Sequence, residues 1–281
     1  MGNPLIFRMV RRVGLALLAA GFSLLLYMGL LAQAEPRVRR LGLTLEGLSS
    51  RKAPIRIILI SDIHAGTSDM SPARVSQLVE KANSLKPDLV LLAGDFISDK
   101  EFPARRNSIE DSVAPLGALR APLGTLAVLG NHDHWLDAKT VREALQRNGI
   151  TVLENGAVRR GPLAVGGVDD IHTGHDDITA TSIAMAEVGG AKLLLSHSPD
   201  IFPRVPEDVK LTLSGHTHCG QIALPFFGIV RTASNYGRRF ACGIIKEGDK
   251  VLVVSGGVGT SVLPLRLLAP PDIWLITLRP E

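Results

Sequence analysis

Five short aliphatic runs, each ending abruptly in histidine, aspartate or asparagine, constrain this 281-residue chain more than any other feature. Residues 55–60 lead into Ser61-Asp62-Ile63-His64, and 89–93 into Gly94-Asp95. Residues 126–129 lead into Gly130-Asn131-His132-Asp133, 193–195 into Ser196-His197, and 211–213 into Ser214-Gly215-His216-Thr217-His218. Runs this short and this uniformly apolar read as strands buried on both faces. Helical stretches separate the first three. Ser71-Pro72 supplies a cap residue and a first-turn proline ahead of residues 73–84, where Val75, Leu78, Val79 and Ala82 recur at helical spacing. Residues 138–148, closed by Gly149, predict a second helix. This alternation implies an α/β fold with right-handed crossovers, in which ligands gather beyond the carboxyl ends of the strands. All five polar clusters are therefore expected on one rim. Shorter candidates at 151–153, 163–165, 243–245, 251–254 and 274–278 predict a second, more antiparallel sheet facing the first.

The clusters have the composition of a cation site. Asp62 and His64 are two apart, as are His216 and His218. On a strand that spacing puts both side chains on one face. Gly94, Gly130 and Gly215 let the chain turn sharply and bring backbone close to a ligand. Imidazole, carboxylate and amide without thiolate suit Mn, Fe, Zn or Co. Burying such groups with no cation would leave charge unpaired at a cost of several kcal/mol. His134, His172 and His175 lack ligand spacing to any cluster and read as satisfied core or surface residues, the last two in an acid-rich, solvated turn. Cys219 and Cys242 form no disulfide framework and read as unlinked thiols.

Residues 13–34 carry no charge. At helical rise they span about 33 Å, enough to cross a bilayer's hydrocarbon core. Ala32-Gln33-Ala34 has the small-residue character of a cleavage site, but the apolar run is longer than a signal core, so a retained single-pass anchor in a bacterial-type inner membrane is expected. Arg8, Arg11 and Arg12 precede it, and Arg37, Arg39 and Arg40 follow. The flanks nearly balance, and the N-terminal one favours a body outside the cytoplasm. The chain then divides into an anchor at 1–36, a basic linker at 37–52 and one domain at 53–281. The net charge of +4 does not imply nucleic acid. Eight basic and two acidic residues fall in 1–52, leaving 23 basic against 25 acidic in the body, with no basic stripe.

Taken in order, Asp62-x-His64, Gly94-Asp95, Gly130-Asn131-His132-Asp133, His197 and Gly215-His216-x-His218 resemble the five motifs of calcineurin-like metallophosphoesterases. Residues 215–222 and 255–266 resemble the membrane-associated bacterial phosphodiesterase branch of that superfamily. The resemblance implies a four-layer αββα sandwich, two mixed β-sheets flanked by helices. It implies two divalent ions, one held by Asp62, His64, Asp95 and His218, the other by Asp95, Asn131, His197 and His216. A hydroxide between them would attack phosphorus in line. His132 is the implied catalytic group for the leaving oxygen or the phosphoryl oxygens. Asp133 follows it in the catalytic loop, where organising that loop is its expected part. Some relatives carry an acid three residues after the bridging aspartate. Here Ser98 holds that place and Asp99 comes next, which leaves the partner of His132 open.

The expected activity is metal-dependent hydrolysis of a phosphoester, by a phosphodiesterase or phosphatase, on a membrane-associated or envelope substrate. The branch includes enzymes that cleave the pyrophosphate of a UDP-diacylglucosamine lipid precursor in lipid A synthesis, so that substrate is the alternative. A catalytically silent scaffold of the same fold is the alternative of another class, and the complete ligand set with His132 weighs against it. Arg231, Arg238 and Arg266 are candidates for a substrate-phosphate clamp, since arginine binds phosphate bidentately. Phe226-Phe227 and Leu263-Pro264-Leu265 are apolar loop segments that suit core, an acyl-chain groove or a bilayer surface.

Overall fold

The computed structural model describes residues 4–48, 53–100, 104 and 106–280. Residues 1–3 of the expected anchor, 49–52 of the expected linker and Glu281 lie outside the described residues. The elements in chain order are α1 (Pro4–Ala32), β1 (Arg37–Thr44), β2 (Ile55–Ile60), α2 (Pro72–Ser84), β3 (Leu89–Ala93), α3 (Ile109–Val113), β4 (Thr125–Val128), α4 (Asn131–Arg147), β5 (Thr151–Val152), β6 (Gly156–Arg160), β7 (Leu163–Val168), α5 (Ile178–Val188), β8 (Ala191–Ser196), β9 (Leu211–Ser214), β10 (Ala223–Leu224), β11 (Gly228–Ile229), β12 (Gly243–Glu247), β13 (Lys250–Val254) and β14 (Asp272–Arg279). The first sheet has the order β1-β14-β2-β3-β4-β5, the second β12-β13-β9-β8-β7-β6.

Strand alternation assigns each apolar residue to a layer. Ile57, Leu59, Leu91 and Val128 of the first sheet meet Val165, Leu193, Leu195 and Leu213 of the second in one core between the sheets. The alternate residues Ile58, Ile60, Val90 and Leu92 pack on Val75, Leu78 and Val79 of α2 and on Val141 and Leu145 of α4. On the far side Val168, Leu194 and Leu252 cover Met185 of α5. The result is the expected helix–sheet–sheet–helix stack. Its aliphatic strands are buried on both faces because both faces are covered.

Four expectations change. Residues 37–44, read as linker, form β1, which pairs in parallel with β14 at the edge of the first sheet. Arginines alternate there with Val38, Leu41 and Leu43, which pack on the cores. Half-polar sequence of this kind suits an exposed edge, which charged residues protect from further pairing. Residues 274–278 and 151–152 belong to the first sheet, not the second. The second sheet has a parallel centre, since β13, β9, β8 and β7 run parallel, and only β12 and β6 at its edges are antiparallel. The helix expected over 138–148 starts earlier, at Asn131, and breaks at Asp137. Asp137 then caps the second segment by accepting from Thr140 N at 3.1 Å.

Candidate metal centre

The carboxyl ends of β2, β3, β4, β8 and β9 deliver the five clusters to one place, from both sheets. Asp62, His64, Asp95 and His197 are essentially without solvent exposure. Their backbone is unusual. Asp62, His64, Asp95, His216 and His218 all have φ between 49° and 71°, the left-handed region that non-glycine residues rarely enter. Asp62 and His64 therefore share a target because two left-handed turns past the end of β2 aim them, not because they alternate along a strand. The same correction applies to His216 and His218 past β9. Strain of this kind persists only where the surroundings enforce it, and it concentrates at functional sites. Glycine makes the close approach possible. A Cβ on Gly130 would sit 2.3 Å from Asp95 Oδ1, and one on Gly94 would sit 2.7 Å from His197 Nδ1.

Among the described residues, three groups of side chains bring their ligand atoms within 4.8 Å of one another: Asp62, His64 and His218; His64, Asp95 and His132; Asp95, His197 and His216. His197 Nε2 lies 3.2 Å from Asp95 Oδ2, 3.1 Å from Asn131 Oδ1 and 3.1 Å from His216 Nδ1. His64 Nε2 faces His218 Nε2 at 3.2 Å and Asp95 Oδ2 at 3.6 Å. His218 Nε2 lies 3.5 Å from Asp62 Oδ1. One ring proton cannot satisfy so many facing acceptors, and His64 Nδ1 has no hydrogen-bond partner of its own. Cations at the centre of this donor set would resolve the conflict, so the residues fit divalent metal.

Electrostatics separate three of the four candidate ligand histidines from the fourth, His197. Burial holds His64 and His218 well below the ordinary histidine pKa and His216 at about 3, so these rings present neutral lone pairs. Burial also pushes Asp62 up to about 6. For Asp95 burial acts upward, but the charge and hydrogen bond of His197 together with His132 and His64 hold the carboxylate well below its usual range. Asp95 in turn, acting against burial, keeps His197 well above the ordinary value.

The other sequence candidates separate. His132 sits at the mouth, with Nε2 4.0 Å from Asp95 Oδ2. Its partner is Asp99, whose Oδ1 lies 2.5 Å from Nδ1. Burial opposes the imidazolium, yet the bond to Asp99 raises the His132 pKa. Asp133, a catalytic candidate, faces away from the mouth. It is fully buried and accepts from Phe96 N at 2.8 Å, Ile97 N at 3.2 Å and Gly130 N at 2.9 Å. Burial and Asp95 push it up to about 7. It stitches the loop after β3 to the loop after β4, and so positions Asp95 and His132.

Arg266, a phosphate-clamp candidate, has no solvent exposure. It donates to the carbonyls of Gly256, Gly257, Gly259 and Ala269 and lies 3.4 Å from His218 Nδ1. Both terminal nitrogens donate to backbone, Nε finds no partner among the described residues, and the guanidinium is sealed from the groove, so it braces these loops from inside instead of facing a substrate phosphate. Arg231 does line the groove of about 700 Å³ at the site, together with His132, Trp135, His172 and His216. Arg238 lies outside that groove, on the exposed turn Gly237–Phe240.

Sequence reading missed two residues. His172, assigned to the surface, stands 5.1 Å ring to ring from His216, and Trp135 lies 4.9 Å from His132. Neither belongs to a spaced motif. For Trp135 the signal was its place one turn into the helix that Asn131 and His132 begin. The cysteine expectation also fails, because Cys219 and Cys242 form a disulfide. The turn at residues 218–220 and the chain at 241–242 run side by side, with Thr217 Oγ1 donating to Ala241 O at 2.6 Å, and this brings the two sulfurs together. Spacing alone could not reveal that proximity.

The sequence also has relatives. The profile of the calcineurin-like phosphoesterase family matches residues 55–220. The metallophosphoesterase YkuE of Bacillus subtilis is 32% identical over 231 residues, covering 80% of this chain and 79% of that protein. A metallophosphoesterase of Aquifex aeolicus is 32% identical, covering 80% and 85%. A transmembrane protein with metallophosphoesterase domain from Danio rerio is 27% identical, with 88% of this chain matching 58% of that protein. α1, correspondingly, is long and apolar enough to cross a membrane. With this profile match spanning more than half the chain and the donor set at the strand ends, the protein belongs to the calcineurin-like phosphoesterase family and is a phosphoester hydrolase.

Proposed function

We propose that the protein is a membrane-anchored, two-cation phosphohydrolase that acts on a membrane-associated phosphoester. The observation that carries this reading is the pair of buried donor clusters, Asp62–His64–His218 and Asp95–His197–His216, with Asp95 also within reach of His64 and His132. In this reading Asp62, His64, Asp95 and His218 hold one ion, and Asp95, Asn131, His197 and His216 the other. Divalent ions held there would lower the pKa of a water and neutralise phosphoryl oxygens. The chain's own residues supply the rest. His132, kept protonated by Asp99 at the mouth of the site, donates its proton to the leaving oxygen. Asp133 fixes the two loops that present Asp95 and His132. Arg231 and His172 meet the substrate along the groove.

The anchor reading rests on α1. The Cys219–Cys242 disulfide supports a body outside the cytoplasm, where disulfides persist. Confinement to one surface suits an amphiphilic, lipid-linked substrate.

The test is direct. Full-length protein in detergent micelles is stripped with chelator, reloaded with Mn²⁺, Zn²⁺ or Co²⁺, and assayed on bis(4-nitrophenyl) phosphate and 4-nitrophenyl phosphate. Turnover should vanish on stripping and return on reloading, with about two ions bound per chain. Folded protein that retains less than about one ion and turns over neither ester would sink the proposal.

A further inference from the structure

Beside the groove lies an exposed apolar patch that is joined to the membrane helix. Past His218 the chain forms the small hairpin β10–β11, whose tip carries Phe226 and Phe227. Phe226 is fully exposed and Phe227 is 73% exposed. Phe226 is also held at φ 68°, a backbone state costly for an aromatic residue, and still contacts water rather than core. The hairpin is tied to the segment at residues 261–268. Ala223 N donates to Leu267 O at 2.8 Å, Leu267 N to Gln221 O at 3.0 Å, and Gln221 Nε2 to Leu263 O at 3.0 Å. That segment exposes Val262, Leu263 and Leu268. It is tied in turn to α1, because Arg266 N donates to Met28 O at 3.0 Å.

This last bond sets a depth. Met28 lies four residues before the end of α1, about 6 Å back along the helix axis. Wherever α1 leaves the bilayer near Ala32, the backbone of Arg266 is level with the helix's last turn. The apolar side chains around it are then at the height of the membrane interface.

We propose that the hairpin tip and the 261–268 segment form a second membrane contact, in which Phe226, Phe227, Val262 and Leu268 enter the interfacial layer of the bilayer that α1 crosses. The occupant is that lipid surface, because the patch is continuous with the bilayer-facing helix and bonded to it. The groove lining includes Ile222, Val230 and Val262 beside Gln221 and Arg231, as well as His132 and His216, so a hairpin seated in the interface would bring the groove beside the bilayer. A phosphoester carried on a lipid enters sideways from the bilayer, acyl chains trailing past the hairpin. The proposal rests on α1 spanning the bilayer and, for its second readout only, on the phosphohydrolase reading.

Full-length protein is placed in nanodiscs of phosphatidylcholine and phosphatidylglycerol, with an environment-sensitive fluorophore on Phe227→Cys or, as a distant control, on Ile244→Cys of β12. The label at 227 should shift to the blue and be quenched by lipids brominated near the headgroup, while the label at 244 stays in water. A water-like label at 227 overturns the proposal, whatever the activity. Separately, Phe226→Ser/Phe227→Ser should lower turnover of a hexadecyl nitrophenyl phosphodiester dissolved in the disc by about tenfold. Turnover of soluble bis(4-nitrophenyl) phosphate should stay unchanged. An equal fall on both esters marks a structural role and overturns the proposal. Absence of turnover from the parent protein is a failure of the phosphohydrolase reading alone, since the label still decides the membrane contact.

Discussion

The floor of the groove and its outer wall share one rim of the fold, yet they handle solvation in opposite ways. The floor buries Asp62, His64, Asp95 and His197 almost completely and places several of its residues in left-handed backbone. The hairpin and loop that flank the groove, its outer wall in the wider sense, leave Phe226, Phe227 and Val262 in the open. Charged groups out of water and aromatic groups in water are both unfavourable in isolation. Each becomes reasonable once the missing neighbour is supplied, cations for the floor and lipid for the wall.

The largest expected effect strikes the floor. Asp95→Ala removes the side chain that faces His64, His132 and His197, and turnover should fall by about 10³-fold or more, with bound metal lost on elemental analysis. Full activity would show that the floor does not need its central carboxylate. Arg266→Met tests whether the link between floor and wall is structural. It orphans the carbonyls of Gly256, Gly257, Gly259 and Ala269, and denaturant unfolding in micelles should show a loss of about 3–5 kcal/mol. A stable variant with weakened substrate binding would restore it as a phosphate clamp.

Opening the disulfide that pins the turn after His218, by Cys219→Ser/Cys242→Ser, should cost about 3 kcal/mol for a separation of 23 residues. No change in unfolding midpoint would show that the turn is held by its other contacts. At the mouth, Asp99→Asn should lower turnover by about 10- to 100-fold with metal content intact, because Asp99 orients His132 without touching substrate. Metal loss would move Asp99 into the floor instead.

The smallest effect lies outside both regions. The bond to Asp169 raises the His134 pKa. Its stabilisation is therefore complete below the unfolded pKa of about 6.5 and is lost as pH rises through the higher folded value. Asp169→Asn should lower the unfolding free energy below about pH 6.5 by less than about 1 kcal/mol, read from denaturant titrations at a series of pH values, and the difference should shrink in alkali. A difference that grew with pH would reverse the assignment.

The sequence by itself determined the strands that carry the site. An aliphatic run ending in a polar cluster needs cover on both faces and a reason for its end, so residues 55–60, 89–93 and 211–213 and their His and Asp neighbours were legible from local pattern. The helical stretch before β3 was equally plain, since cap, proline and spacing agreed. Tertiary structure alone decided the rest. The arginine-rich edge strand β1 pairs with a strand more than two hundred residues away, and its half-polar pattern says nothing of that partner. Arg266 looks like any loop arginine until the backbone folds around it. The bond between Asp99 and His132, the Cys219–Cys242 disulfide and the approach of His172 to His216 each join segments distant in the chain. Chemical identity and period are local properties, which sequence records directly. Contact across the fold depends on how several loops pack at once, and only the assembled sheets fix that.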